Sequence, residues 1–238
     1  MKKYLIALSA LSLMAFCGCS EGDLITQNFD IDGSYTELVV EDAFDVTISN
    51  DVTQAVVTAG DNIMSKVRLE KSGNTLNIRL KGWVPNSGDP KVILPYNPNM
   101  TSVNLSGASE LHSPFTLSGQ TIEIKCSGSS DFFGSIDANE LKLKLSGSSD
   151  ATIDGTVTKA NLNISGSSDL EKKIVSNRYS LTCDQCECSI SGSSEAYVHC
   201  DGKITGSISG SSRLYFTGAA FTADCETSGS SKIIHEVL

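Results

Sequence analysis

Apolar and polar residues alternate in seven segments of this 238-residue chain, and each segment ends in the same four-residue motif. Positions one, three and five residues before the motif are mostly apolar or small, while the positions between them are polar. A period of two predicts strands with one buried face, whereas a helix would need a period of about 3.6. The motif reads Ser-Gly-Ser-Ser, once Ser-Gly-Ala-Ser, and its copies begin at Ser106, Ser127, Ser146, Ser165, Ser191, Ser209 and Ser228.

The copies recur at nearly equal steps of 21, 19, 19, 26, 18 and 19 residues. Two or three short strands in about 19 residues suit one coil of a parallel β-helix, so the pattern predicts an all-β solenoid. The motif glycine tolerates positive φ and the serines can bond turn groups, which predicts corners stacked in one column. Ile124, Leu143 and Leu162 are then core residues, and the longest step holds an insertion within Ser176–Gln185.

The first third of the chain lacks the motif but also predicts strands. Phe44, Val46 and Ile48 alternate with polar residues. Lys71–Asn74 carries a hairpin signal between two further alternating runs. Gly82–Pro90 contains two prolines and two glycines, which predicts a loop. This third is expected to cap or begin the solenoid.

The N-terminus predicts a lipoprotein signal peptide over residues 1–18. Lys2 and Lys3 precede an apolar stretch, Tyr4–Phe16, that is too short to span a bilayer. Gly18 precedes Cys19 as in a bacterial lipobox, so a lipid on Cys19 is expected to anchor the chain without spanning the membrane. The alternative is an ordinary secretory signal with a nearby cleavage site.

Domain boundaries follow from these segments. Residues 19–27 are the anchor cysteine and a linker, whose acidic start resembles a surface-export signal of some outer-membrane lipoproteins. Residues 28–238 are expected to form one domain, with N-terminal strands over 28–100 and repeat coils over 101–238. Removal of Lys2 and Lys3 leaves 16 basic against 28 acidic residues, a poor composition for binding nucleic acid.

Four stretches can be read together with the motif repeats: Ala43–Ile48, Gly60–Asn62, Asn74–Ile78 and Val103–Ser109. In this order they resemble the putative auto-transporter adhesin, head GIN domain family. The resemblance covers nearly all of residues 28–238, and it implies a right-handed parallel β-helix in a secreted or surface-anchored bacterial protein. The family brings no established catalytic residues.

Six cysteines follow Cys19, and most of them fall at inward positions. Cys183, Cys186 and Cys188 are spaced like a metal knuckle, to which Cys200 and His199 could add ligands. We favour buried thiols acting as small apolar side chains at Cys126, Cys186, Cys188 and Cys225. Cys183 is assigned to the insertion and could form a disulfide with Cys200 after export.

A second candidate feature is the residue that follows each motif. Stacking would bring five carboxylates into a file, which repels itself unless the groups are solvated, protonated or bridged by cations. One hypothesis is Ca²⁺ along this file; the other, which we favour, is that each acid caps its serine turn and faces water. The positions are Glu110, Asp131, Asp150, Asp169 and Glu195, then Arg213 and Lys232.

No catalytic constellation is recognisable in the sequence. The three histidines, His112, His199 and His235, occupy unrelated repeat positions, and neither His-Glu-x-x-His nor Gly-x-Ser-x-Gly occurs. We therefore predict no catalytic residues, no metal and no cofactor. The alternative of a carbohydrate-active β-helix enzyme would need a groove at the insertion, where Arg178, Tyr179, Asp184 and Glu187 occur.

The favoured function is a non-catalytic, lipid-anchored adhesin or interaction module of a bacterial cell envelope. The expected location is the outer membrane, exposed at the surface. Partners could be a host or bacterial surface protein or glycan, and a homo-oligomer is a further alternative. The remaining alternatives are the lyase or hydrolase above and a purely structural envelope protein.

Overall fold

A computed structural model describes residues 22–82, 84 and 88–238. The protein is all-β, with one large mixed sheet, a two-stranded hairpin and a single helical turn, α1, at Asp61–Met64. The strands are β1 Leu24–Phe29, β2 Glu37–Val40, β3 Asp45–Ser49, β4 Ala55–Gly60, β5 Val67–Ser72, β6 Thr75–Leu80, β7 Lys91–Pro95, β8 Ser102–Leu105, β9 Glu110–Gly128, β10 Asp131–Gly147, β11 Asp150–Ile164, β12 Ile174–Val175, β13 Arg178–Tyr179, β14 Leu181–Ile190, β15 Glu195–Ile208, β16 Arg213–Thr217, β17 Phe221–Thr227 and β18 Lys232–His235.

The repeats pair in parallel, so that each repeat adds one layer to a stack. Leu143 in β10 is in register with Ile124 in β9 and with Leu162 in β11. All three side chains are buried, which confirms the predicted core column. The outward neighbours Lys142 and Lys144 are exposed, as a period of two requires.

The motif corners stack in one column, as predicted. The amide of Ser148 donates to Gly128 O at 2.8 Å, and the amide of Ser167 donates to Gly147 O at 2.8 Å. An added Cβ on Gly147 would meet Gly128 O at 2.5 Å. The glycine therefore serves both the positive φ of the turn and the close approach of successive layers.

The last serine is buried in the first six motifs, and these serines form a hydrogen-bonded ladder inside the corner. Ser149 is fully buried, and its Oγ donates to Ser146 O at 3.0 Å while it accepts the amide of Ser130 at 3.3 Å. Its own amide donates to Ser168 Oγ in the next layer at 3.1 Å. The serine thus satisfies amides that face the interior rather than the sheet ladder.

We expect Ser149→Ala to lower the free energy of unfolding by about 1–3 kcal/mol, because it leaves the buried Ser130 amide without an acceptor. The matched control is Ser148→Ala in the same motif, since Ser148 is exposed. That change should alter stability by less than about 0.5 kcal/mol. Urea denaturation compares the two variants, and equal stability of both would show that the ladder contributes nothing.

The first layers do not follow chain order. β2 lies between β6 and β8, and β3 lies between β7 and β9, all in parallel register. After β1, the chain therefore enters the second layer with β2 and β3, passes outward through β4 to β7, and returns across that layer to start β8. The antiparallel pair β1 and β4 lies at the outer side, and β5 and β6 form the predicted hairpin.

The insertion begins earlier than predicted and overlaps the predicted range Ser176–Gln185 only in part. The register offset to the preceding layer is 19 residues at Leu170 and 26 residues at Leu181. The extra residues thus enter between these positions and form the antiparallel hairpin β12–β13. Cys183, which the prediction placed in the insertion, lies in β14 instead, because its small apolar side chain fits the buried column above Val157.

The strand register of the last repeat also differs from the prediction. The sequence alignment puts Ala223 in the column of Ile204, but the strand partner of Ile204 is Thr222. A register shift follows, with Asp224 at φ 59°, and it restores the pairing of Gly206 with Cys225. An extra residue in one strand is the ordinary effect of a β-bulge.

The predicted signal peptide and Cys19 lie outside the described residues, as do Trp83 and Pro85–Ser87 of the predicted loop. Within the described part of the chain, no helix is long and apolar enough to cross a membrane.

Candidate functional site

A groove of about 710 Å³ runs over the outer face of the repeat sheet. Its lining comes from strands β9, β10, β11, β14, β15 and β17, so it crosses most of the stack. At a strand spacing of about 4.8 Å, six strands extend over roughly 24 Å. The groove therefore offers an extended site rather than a compact pocket.

Two polar columns form the groove surface. One column runs from Lys125 through Lys144 and Asn163 to Ser189 and then Ser207, each residue in register with the next. The other column runs from Glu123 through Lys142, Asn161 and Glu187. Since these positions are the outward half of the alternating pattern, the period that builds the core also builds the groove.

Most charges in the groove are paired. Lys125 Nζ lies 2.9 Å from Glu123 Oε1, and Lys159 Nζ lies 2.7 Å from Glu187 Oε2. Lys142 Nζ approaches Glu140 Oε2 only to 3.8 Å. These partners are partly exposed, so each pair contributes about 0–1 kcal/mol to stability.

Lys144 is different, because it has no ion pair and no hydrogen bond from its side chain among the described residues. It is exposed at the middle of the lysine-bearing half, between Lys125 and Asn163 in its column. Glu140, which approaches Lys142, also accepts from Asn161 Nδ2 at 2.5 Å and from Thr121 Oγ1 at 3.3 Å. The groove thus carries an uncompensated cation in an acidic protein.

The carboxylates after the motifs do stack, but they cap the next layer rather than their own turn. Asp131 Oδ1 accepts the amide of Asp150 at 3.2 Å, and Asp150 Oδ1 accepts the amide of Asp169 at 2.9 Å. Asp169 Oδ1 in turn accepts the amide of Glu195 at 2.6 Å. At the end of the file, Arg213 lies 2.8 Å from Glu195 Oε1 and compensates its charge.

Three carboxyl groups in and beside this file have raised pKa values. Burial is the main cause for Asp131, Asp169 and Glu171, and the charge of neighbouring Asp150 raises the pKa of each further. A raised folded-state pKa means that the ionised form destabilises the fold. The loss of folding stability grows as pH rises through the folded-state pKa values of these groups, and it is complete above them.

We expect Asp150→Asn to stabilise the protein at pH 7 by about 0.5–1 kcal/mol, since it removes the shared charge. The gain should vanish below the ordinary aspartate pKa of 3.8, where Asp131 and Asp169 are protonated in both the folded and the unfolded state. Urea denaturation at pH 7 and pH 3 measures it. Asp137→Asn, at an exposed position of the preceding strand β10 and outside the file, is the control and should show no such gain. A larger gain at pH 3 than at pH 7 would contradict the repulsion.

Two acids of the file, together with Glu171, form the one metal-ligating set of three found among the described residues. Carboxylate oxygens of Asp150, Asp169 and Glu171 lie within 4.8 Å of one another. Backbone amides already occupy one oxygen of both aspartates, and this accounts for the geometry without a cation.

Most of the cysteines after Cys19 lie in the core. Cys183 and Cys200 are buried strand partners in adjacent layers, and Cys126, Cys186 and Cys188 are buried as predicted, while Cys225 is half-buried. The structure contains no disulfide among these six residues.

The thiol of Cys200 donates to Asp184 O at 3.6 Å and to Lys203 O at 3.8 Å. Interaction with the neighbouring thiols of Cys186 and Cys200 lowers the pKa of Cys183, while the pKa values of Cys186 and Cys200 are raised. His199 does not join them; its Nδ1 lies 2.8 Å from Thr217 Oγ1. The Cys183–Cys200 disulfide stays a prediction, now between direct strand partners.

Residues proposed for an enzyme at the insertion do not converge. Glu187 lies in the groove beside Lys159, whereas Asp184 borders a separate depression with Asp137. Tyr179 is buried, and its hydroxyl bonds Glu236. His112 and His235 stack on different phenylalanines at opposite ends of the repeat region, Phe133 and Phe216.

One surface feature escaped the sequence analysis. Tyr197 and Tyr215 stack with ring centroids 4.6 Å apart, and Tyr179 meets Tyr197 edge-on at 5.3 Å. Lys172 lies 5.6 Å from the Tyr197 ring. The sequence could have predicted the stacked pair, because Tyr197 and Tyr215 follow their motifs at the same interval.

Comparison with known proteins identifies the family. The profile described as "Putative auto-transporter adhesin, head GIN domain" matches residues 34–220. The chain belongs to this family. No curated protein matches the chain at a significant level.

Solved structures share the fold of this head GIN domain protein. A putative adhesin from Bacteroides fragilis NCTC 9343 is similar at 18% identity with a TM-score of 0.75, covering 90% of this chain and 97% of that one. A putative adhesin from Parabacteroides merdae ATCC 43184 gives 15% identity and a TM-score of 0.71, covering 91% and 98%. A putative lipid binding protein from Parabacteroides distasonis ATCC 8503 is similar at 20% identity with a TM-score of 0.67, and the match covers 90% of this chain and 97% of that one.

Proposed function

We propose that this protein is a non-catalytic adhesin of a bacterial cell envelope, displayed at the surface and anchored by a lipid on Cys19. Membership of the head GIN domain family is the observation that carries the proposal. The dispersal of the histidines and of Asp184 and Glu187 also favours binding over catalysis. A surface protein or glycan of a host or of another bacterium is the proposed partner.

The proposed architecture is a right-handed parallel β-helix. Parallel in-register layers from β8 onward and one stacked corner column support it. In this arrangement, the groove faces away from the core along the length of the stack. We therefore assign binding to the groove.

Blocking the groove tests this assignment. Ser189 lies in the middle of the groove, so Ser189→Trp should abolish binding of the purified protein to target cells. Ser148→Trp places the same bulk at an exposed corner outside the groove and should leave binding unchanged. Equal binding by both variants would assign adhesion to another surface, and no binding by the wild type to any cell would remove the adhesin function.

The anchor is tested separately by mass spectrometry of the protein isolated from its own membrane. A diacyl-glyceryl mass on an N-terminal Cys19 is expected. An unmodified N-terminus beyond residue 19 would make this a plain secreted protein.

A further inference from the structure

We infer that the groove binds a glycan carrying carboxylated sugars, with an acidic sugar at Lys144 and neutral sugars along the amide and hydroxyl half. This inference rests on the proposed function and names its ligand class. The chain after Lys3 has 16 basic and 28 acidic residues, whereas the groove is balanced in charge, with four lysines and four acids in its lining. The acids Glu123 and Glu187 are paired with lysines of the groove, and Asp224 is paired with Lys203.

The anion position follows from which lysine is free. Lys144 lacks a partner, whereas Lys125 and Lys159 are held by Glu123 and Glu187. Lys142, two residues away on the same face of β10, is held only loosely at 3.8 Å. A carboxylate placed between Lys142 and Lys144 would gain charge-assisted hydrogen bonds that no side chain of the protein now supplies.

The rest of the groove suits sugar hydroxyls. Asn163, Ser189 and Ser207 continue the column of Lys144, one per layer. Asn161 adds a buried Oδ1 without a donor, to which a ligand hydroxyl could donate after a small rotation of the amide. The layers are about 4.8 Å apart, a step comparable to the length that one hexose adds to a polysaccharide.

The same surface is a poor match for an acidic peptide. The side chains that face the groove are lysines, acids, asparagines and serines. Peptide recognition draws on aromatic or aliphatic anchor pockets or on a free strand edge, and the groove lies on the face of paired strands. A linear chain of hydroxyls and spaced carboxylates matches this pattern of donors and acceptors better.

The test uses the full-length protein and three probes, namely polygalacturonate, uncharged dextran and poly-glutamate, in calorimetric titrations at low salt. We expect polygalacturonate to bind and the other two to bind at least about tenfold more weakly. Binding of polygalacturonate should weaken at about 150 mM salt, since its contact with Lys144 is exposed to solvent.

Two variants locate the site. Lys144→Met should weaken polygalacturonate binding about tenfold, while Lys144→Arg, which keeps the charge, should retain it within a factor of about three. Lys232→Met is the control, because Lys232 is an exposed lysine outside the groove. Equal losses in Lys144→Met and Lys232→Met would overturn the site.

The ligand class and the adhesin function fail in different ways. Equal binding of dextran or of poly-glutamate would overturn the carboxylated glycan. If wild-type protein binds cells, and Ser189→Trp abolishes this, while polygalacturonate does not bind, the adhesin stands and the ligand class is wrong.

Discussion

Gly147→Ala is expected to destabilise the protein by about 3–5 kcal/mol, the sum of a positive-φ penalty and a steric clash with rigid backbone. Gly147 has φ 88°, and the new Cβ would lie 2.5 Å from Gly128 O in the layer below. Neither atom can move alone, because the amide of Ser148 holds that same carbonyl at 2.8 Å. Urea denaturation measures the loss.

Gly119→Ala is the matched control for this prediction. Gly119 lies in β9 without positive φ, and its nearest contacts for an added Cβ are side-chain atoms at 3.5 Å. Its partner in the next layer is already an alanine, Ala138. This change should leave stability equal or raise it by about 0.4–1 kcal/mol. A loss in Gly119→Ala as large as in Gly147→Ala would show that any added methyl group disturbs the stack.

The contrast between these two glycines shows what the sequence could predict. The recurring motif marked Gly147 as a turn residue, and alternation marked Leu143 as core, because both signals are local and repeat in register. The order of the first layers is not local. Nothing near β2 indicates that β6 pairs on one side of it and β8 on the other, since these partners lie far apart in the chain.

The functional surface was harder to predict for a related reason. The sequence places Lys125, Lys142 and Lys144 on outward positions, but it does not show which of them is neutralised. That depends on side chains reaching across layers, as when Asn161 binds Glu140, the acid that approaches Lys142 only to 3.8 Å. The acids of the file likewise bind amides of the following layer, so their role follows from stacking geometry rather than from their own turns.

Leu143→Ala should cost about 2–5 kcal/mol, as expected for a large-to-small change in a packed core. Leu143 is 1% exposed and lies between Ile124 and Leu162, which are held by strand pairing above and below. The layers cannot collapse around the missing atoms without breaking that pairing, so a cavity remains. The free energy of unfolding from urea titration is the measurement.

Lys144→Ala, at the next position of the strand, is the control for Leu143→Ala. It tests whether the loss of stability depends on the alternation of buried and exposed positions. Lys144 points to the opposite face and has no partner, so its removal should change stability by less than about 0.5 kcal/mol. A register one residue off would exchange the two results, because it moves every side chain of the strand to the other face. A large loss in Leu143→Ala with a stable Lys144→Ala would also show that weakened glycan binding in a Lys144 variant arises at the groove and not from unfolding.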